Sequence, residues 1–213
     1  MTVGKPHVLA WLDRLQIVYS ENRPWLTELD SAIGDADHGI NMDRGFTAVK
    51  AALASNDATQ IHDILKAVAT TLIRTVGGAS GPLYGTFFLR AAACCPGKEE
   101  LAEADVVALF QAGIEGLCQR GKAQPSDKTM VDALLPAVDA MRAALTEGKP
   151  LGAIMAAGVA AAEQGMLNTA PMQARKGRAS YLGPRSVGHQ DPGATSAWLL
   201  VRAAADAWAE RNA

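Results

Sequence analysis

The sequence predicts an all-α protein, and three observations carry the prediction. Apolar residues recur at i, i+3, i+4 and i+7 in one segment after another, the spacing that lines one face of a helix. Convincing apolar–polar alternation, the mark of a half-buried strand, is nearly absent. Glycine and proline collect in a few places: Gly34 to Gly39, Gly77 to Gly81, Pro96-Gly97, Gly121 to Pro125, Gly148 to Pro150 and Gly177 to Gly193.

Cutting the chain at that punctuation leaves about eight helices and one short further segment. The first spans 5–20, and a short one follows over 22–30. A third covers 40–54. Ile61, Ile64, Leu65, Val68, Leu72, Ile73 and Val76 form the stripe of a fourth over 58–76, and the next runs 81–94. Val106, Phe110, Ile114 and Leu117 mark 103–120, and Met130, Leu134, Val138, Met141 and Leu145 mark 128–147. The Ala-rich segment 150–170 carries Gly152, Gly158 and Gly165, which are expected to let a neighbouring helix come close, and a last helix spans 193–211. No linker or composition shift interrupts the chain, so a single domain over 1–213 is expected.

Composition narrows the class. The chain has 213 residues, enough for a sizeable core, with 49% hydrophobic and 20% charged residues and a formal charge of −2. A balance so near neutral gives no support to a nucleic-acid or anionic-membrane surface. Cys94, Cys95 and Cys118 form neither a CxxC pair nor a zinc spacing, which fits a reducing compartment. The N-terminus lacks the basic-then-apolar layout of a signal peptide. The longest apolar stretch, Leu151 to Leu167, carries Glu163 and Gln164 and is shorter than the ~20 residues a spanning helix needs. A cytoplasmic, unanchored protein is the simplest expectation.

The helices are generic, and the loops collect the chemistry. The first loop runs Asp30-Ser31-Ala32-Ile33-Gly34-Asp35-Ala36-Asp37-His38-Gly39-Ile40-Asn41-Met42. Its carboxylates would repel one another if nothing sat between them, and a hard divalent cation with oxygen ligands removes that conflict. Asp35 and Asp37 point the same way if the segment is extended, and a bend at Gly34 brings Asp30 back to them. Their six oxygens suit one or two Mg²⁺ ions, with water and phosphate oxygens completing each octahedron. His38 and Asn41 lie where the next helix opens, a place that favours anions. The bland alternative makes Asp37 and Asn41 helix caps and Asp30 a solvated helix end.

The second loop is Gly77-Gly78-Ala79-Ser80-Gly81-Pro82-Leu83-Tyr84-Gly85. Its glycines allow backbone N–H groups near a phosphate and Ser80 adds a hydroxyl, although no Lys follows to make a P-loop. A tight turn between packed helices explains it equally well. The third region, Ala174 to Gly183 and Gly188 to Ala194, supplies cations that the others lack. Arg178 offers paired N–H donors for phosphate. Arg175 and Lys176 read better as a solvated patch, and Asp191-Pro192 reads equally as an N-cap and first helical residue. A smaller loop, Arg120 to Met130, opens a long helix, where Met130 is either core or padding for a flat ring. Together these loops suggest a nucleotide held between helix ends. No Ser-His-Asp or Cys-His constellation is evident, so covalent hydrolysis has no support.

The chain resembles the nucleotide-binding L subunit of dihydroxyacetone kinase in five segments taken in order: Gly34 to Met42, Gly77 to Phe88, Asp127 to Met130, Met172 to Tyr181 and Gly188 to Ala194. The resemblance implies an antiparallel barrel of eight helices with ADP or ATP at one rim. It implies two Mg²⁺ ions on Asp30, Asp35 and Asp37, with Arg178 beside them as the fourth catalytic group. It implies nucleotide contacts from His38, Gly39, Ile40, Asn41, Ala79, Ser80, Gly121, Met130, Arg178, Asp191, Pro192 and Gly193. One departure is Ser126, where the family more often has Gly. The triose in that family binds a separate K subunit or domain, so a K partner is expected. Stand-alone L subunits resemble the phosphotransferase-system type, in which bound ADP is rephosphorylated in place by a phosphohistidine donor subunit. Two alternatives stand beside it. One is a kinase subunit that uses free ATP directly or acts on another small keto-sugar. The other is a nucleotide-loaded module that docks a transcriptional regulator.

Overall fold

The computed structural model describes residues 2–54, 58 and 60–209. Nine α-helices occur among them: α1 (Lys5–Glu21), α2 (Arg23–Ile33), α3 (His38–Ala54), α4 (Ile61–Thr75), α5 (Ser80–Ala93), α6 (Glu103–Gly121), α7 (Val131–Thr146), α8 (Leu151–Asn168) and α9 (Pro192–Ala209). Two additions were not expected from the sequence. Arg178–Ser186 forms a 3₁₀ segment, and Val3–Gly4 (β1) pairs antiparallel with Glu100–Leu101 (β2). Residues 210–211 of the expected last helix lie outside the described residues.

Eight helices close a ring. In order round it, α1 packs on α3, then α4, α5, α6, α7, α8 and α9 follow, and α9 returns to α1. At the closing seam Trp208 Nε1 donates to the His7 carbonyl, Trp11 Nε1 to Leu200 and the Tyr19 hydroxyl to Ser196. Residue numbers rise on one helix as they fall on the other, so the two are antiparallel. The α2 helix is the ninth; it leans on α3, α9 and the 3₁₀ segment. The core is a run of touching rings: Trp11 against Phe88, Phe110 and Trp208, then Phe46 against Phe88 and Tyr19. Rings at such tilted and edge-on angles add contact energy beyond their burial.

The close approach of α7 and α8 depends on two glycines. A Cβ built on Gly165 would stand 2.2 Å from the Asp132 carbonyl oxygen, and one on Gly158 would stand 2.3 Å from Met141 Cε. Pro136, inside α7, has no N–H to give that Asp132 carbonyl, so the helix is irregular where Gly165 meets it. Gly152 differs from its two neighbours in the sequence pattern, because it faces open space. Among the described residues no helix is long and apolar enough to cross a membrane.

Candidate functional site

A cavity of about 430 Å³ opens at one end of the ring. Its wall takes residues from the last turn of α2 and the starts of α3, α5, α7 and α9, together with the loops after α4, α6 and α8. Four helix N-termini therefore meet there, each with the positive end of its dipole.

Asp30, Asp35 and Asp37 form one side. Each can present an oxygen such that the three lie within 4.8 Å of one another. The loop that does this bends at Gly34, as the sequence suggests, and again at Ala36, so Asp35 to Asp37 is not extended. Gly34 sits at φ −139° and ψ −133°, and Ala36 takes a left-handed φ of 60°. Gly34 is obligatory on steric grounds, since a Cβ there would stand 2.0 Å from Asp30 Oδ1. Asp30 is buried, and its Oδ2 accepts the backbone N–H groups of Asp37 at 2.8 Å and His38 at 3.1 Å. One carboxylate thus caps α3 and also lines the cavity. Arg178 Nη2 lies 2.9 Å from Asp35 Oδ2, placing the guanidinium against the acidic trio.

Beneath the glycine loop runs a buried polar chain. The Tyr84 hydroxyl donates to Ser196 Oγ at 2.7 Å, and Ser196 Oγ donates to the Gly193 carbonyl at 3.0 Å. The 2.8 Å contact from His38 Nε2 to Ser196 Oγ is then an Nε2–H donation. That leaves Nδ1 as acceptor for Ser80 Oγ at 3.3 Å. Burial pushes the His38 imidazole below its usual range, with Asp30 and Asp37 opposing, so the neutral single-proton tautomer fits the chain.

The structure brings most of the expected site residues to this wall: Asp30, Asp35, Asp37, His38, Ala79, Ser80, Gly121, Met130, Arg178, Asp191, Pro192 and Gly193. Gly39, Ile40 and Asn41 are not among its lining. A Cβ on Gly39 would strike the Arg23 carbonyl at 2.2 Å, which shows that this residue serves α2–α3 packing. Ile40 points outward, and Asn41 lies buried against the backbone of Gly77. Asp191 caps α9, accepting the Ala194 N–H at 2.7 Å, and it also faces the cavity. Burial raises its carboxyl to about 7; the Ala194 N–H and Lys128 oppose this while Asp132 and Asp30 add to it. Met130, Leu83, Leu117, Ala123 and Val131 make the opposite, apolar side.

Sequence reasoning missed Lys128 and Asp132; Lys176, read as solvated, is exposed and also lines the cavity. The Asp132 carboxylate accepts the N–H groups of Ser126 and Thr129, the latter at 2.8 Å, and so folds the turn that opens α7.

The DAK2 domain family matches residues 32–206. This chain belongs to the DAK2 domain family. Among its relatives is the "PEP-dependent dihydroxyacetone kinase, ADP-binding subunit DhaL" of Escherichia coli K12, 44% identical over 202 residues, covering 95% of this chain and 96% of that protein. A similarly named subunit from Listeria innocua is 40% identical over 204 residues, with 95% and 96% covered. The crystal structure of the dihydroxyacetone kinase from C. freundii in complex with AMP-PNP and Mg²⁺ superposes with a TM-score of 0.72 at 22% identity. That match covers 97% of this DAK2 chain but only 34% of the C. freundii chain, so it speaks for the fold alone.

Proposed function

We propose that this chain is the nucleotide-binding subunit of a dihydroxyacetone kinase. It holds ADP or ATP with Mg²⁺, takes a phosphoryl group from a phosphohistidine donor subunit and delivers it to dihydroxyacetone on a separate K subunit in the cytoplasm. One observation carries the reading: three carboxylates converge at a cavity onto which four helix N-termini also open. An all-oxygen donor set suits a hard cation, and Mg²⁺ prefers few carboxylates plus phosphate oxygens. Asp30, Asp35 and Asp37 would hold the metal, two ions sharing the oxygens that the α3 cap leaves free. When bound, Mg²⁺ supplies charge neutralisation for the phosphates.

The rest follows from the chain's own groups. The starts of α5 and α9 line the same space, and their positive helix ends favour the negative charge of a diphosphate. Ser80 gives its hydroxyl proton to His38 Nδ1 here and would turn it to a phosphate oxygen when nucleotide binds. Arg178 offers two parallel N–H donors to phosphate oxygens in place of Asp35. The wall of Leu83, Leu117, Met130 and Val131 suits a flat base and keeps water from that end. Preorganised donors of this kind do most of the work of phosphoryl transfer, since little covalent chemistry is asked of the protein.

The test begins with the mass of the freshly purified protein, native against acid-denatured. A native excess equal to ADP plus Mg²⁺ is expected. A bare mass that binds added Mg²⁺ and ATP would favour the direct ATP-using kinase subunit, and a mass that stays bare would refute the site. In parallel, Asp35→Asn is expected to weaken Mg²⁺-dependent ADP binding at least about tenfold, or ~1.4 kcal/mol. The helical circular dichroism should be unchanged. Unaltered affinity would overturn the assignment.

A further inference from the structure

The Lys128 side chain is a lysine in an unusual place. It is 1% exposed, and its ammonium contacts four backbone carbonyls: Ser186 at 2.6 Å, Met172 at 3.0 Å, Ala170 at 3.4 Å, and His189. Those carbonyls are drawn from both ends of the long connection between α8 and α9, the segment that carries Arg178 over the cavity. The same segment is tied down twice more nearby, by the Arg175 N–H on the Asp127 carbonyl and by the Gly188 N–H on the Ala170 carbonyl.

We propose that Lys128 is a positioning residue that acts through Arg178: its ammonium gathers the two ends of the 169–191 connection and thereby sets the guanidinium against the acidic trio. Carbonyl oxygens crowded together repel one another unless a cation lies between them. An ammonium with three N–H donors and no acceptor meets that need, whereas a neutral amine would turn a lone pair toward a fourth oxygen. The arrangement is the one a monovalent metal ion would occupy, but here the cation is tethered to the start of α7. Asp127 and Asp132 shape the turn that presents it, through hydrogen bonds to the N–H groups of Gln124 and Thr129.

The loop can be read directly, because Arg175, Lys176, Arg178 and Arg185 are trypsin sites along it. In Lys128→Ala, cleavage at these four sites is expected to accelerate on the order of tenfold or more. Cleavage at Lys66 in α4 should stay at the wild-type rate. Added n-propylammonium, which replaces the deleted side chain and its charge, should slow the loop cleavage again, and n-propanol should not. In the wild-type chain Lys128 should be acetylated far more slowly by acetic anhydride than exposed Lys149, a measurement that stands even if the variant does not fold. Labelling of Lys128 at the Lys149 rate, loop cleavage unchanged in the variant, or equal rescue by propanol would each overturn the proposal. ADP affinity of the variant should fall and recover with the amine, an effect that rests on the proposed function. The cleavage and labelling measurements need no nucleotide, so the two ideas fail separately.

Discussion

At the scale of single residues, the loop from Gln124 to Asp132 shows how backbone conformation, more than side-chain chemistry, defines the site. Ser126 and Lys128 both adopt left-handed φ, at 70° and 61°. The Ser126 side chain is exposed, so its hydroxyl gains nothing that would offset the strain, which is about 1–2 kcal/mol for a residue with a Cβ. The Gly that the resemblance leads one to expect at this position would carry no such strain. Ser126→Gly is expected to stabilise the fold by up to about 1 kcal/mol, after the larger entropy loss of glycine is counted, without altering ADP affinity. Thermal unfolding and a binding titration would check both halves. The acidic trio was legible in the sequence because its members sit within eight residues, Asp30 to Asp37, and carboxylates announce themselves by letter. Lys128 was not legible. Its partners are main-chain carbonyls 42 to 61 residues away, and a carbonyl has no letter in the sequence.

At the scale of elements, apolar periodicity located the helices because each buries one stripe. It failed where an element is held by something else. The two-residue strands are too short to alternate, and the 3₁₀ segment is polar and buries only Ala179 and Ser186, fixed by Ser186 and the Lys128 contacts. The small-residue pattern of α8 was read correctly at two glycines and wrongly at the third, Gly152, because periodicity gives a face and not the distance to the neighbour. The two contacts differ in kind. At Gly165 the obstacle is the α7 backbone, which cannot move alone; at Gly158 it is the end of the flexible Met141 side chain. Gly165→Ala is therefore expected to cost about 1–3 kcal/mol and Gly158→Ala markedly less. Denaturant titrations of the two variants would test this, and equal losses would contradict the account.

At the scale of the whole molecule, the acid placed at the α9 start couples stability to pH. The Asp191 carboxyl is raised from an ordinary 3.8 to about 7, so the folded state holds a proton that the unfolded state has released. Its contribution is present in full below pH 4 and lost as pH rises to about 7. Asp191→Asn keeps an oxygen for the Ala194 N–H while removing the charge. In protein free of metal and nucleotide, its melting temperature relative to wild type is expected to climb between pH 5 and pH 8. A difference that is flat over that range would show that the carboxylate is already ionised in the fold.

The closed ring also has a bearing on how the chain reaches its shape. From α3 to α9, every neighbour round the ring is also the next helix in sequence, so those seams need only short excursions of the chain. The α9–α1 seam alone joins residues such as Trp11 and Leu200, 189 positions apart. Closing so distant a pair carries the largest loop entropy of any seam, and contacts that form late in folding mainly govern how fast the native state is lost. The aromatic residues concentrated at that seam, Trp11, Tyr19 and Trp208, thus act as the clasp on the ring, and they hold it shut from Ser196 beside the site to Trp208 near the far end of α9.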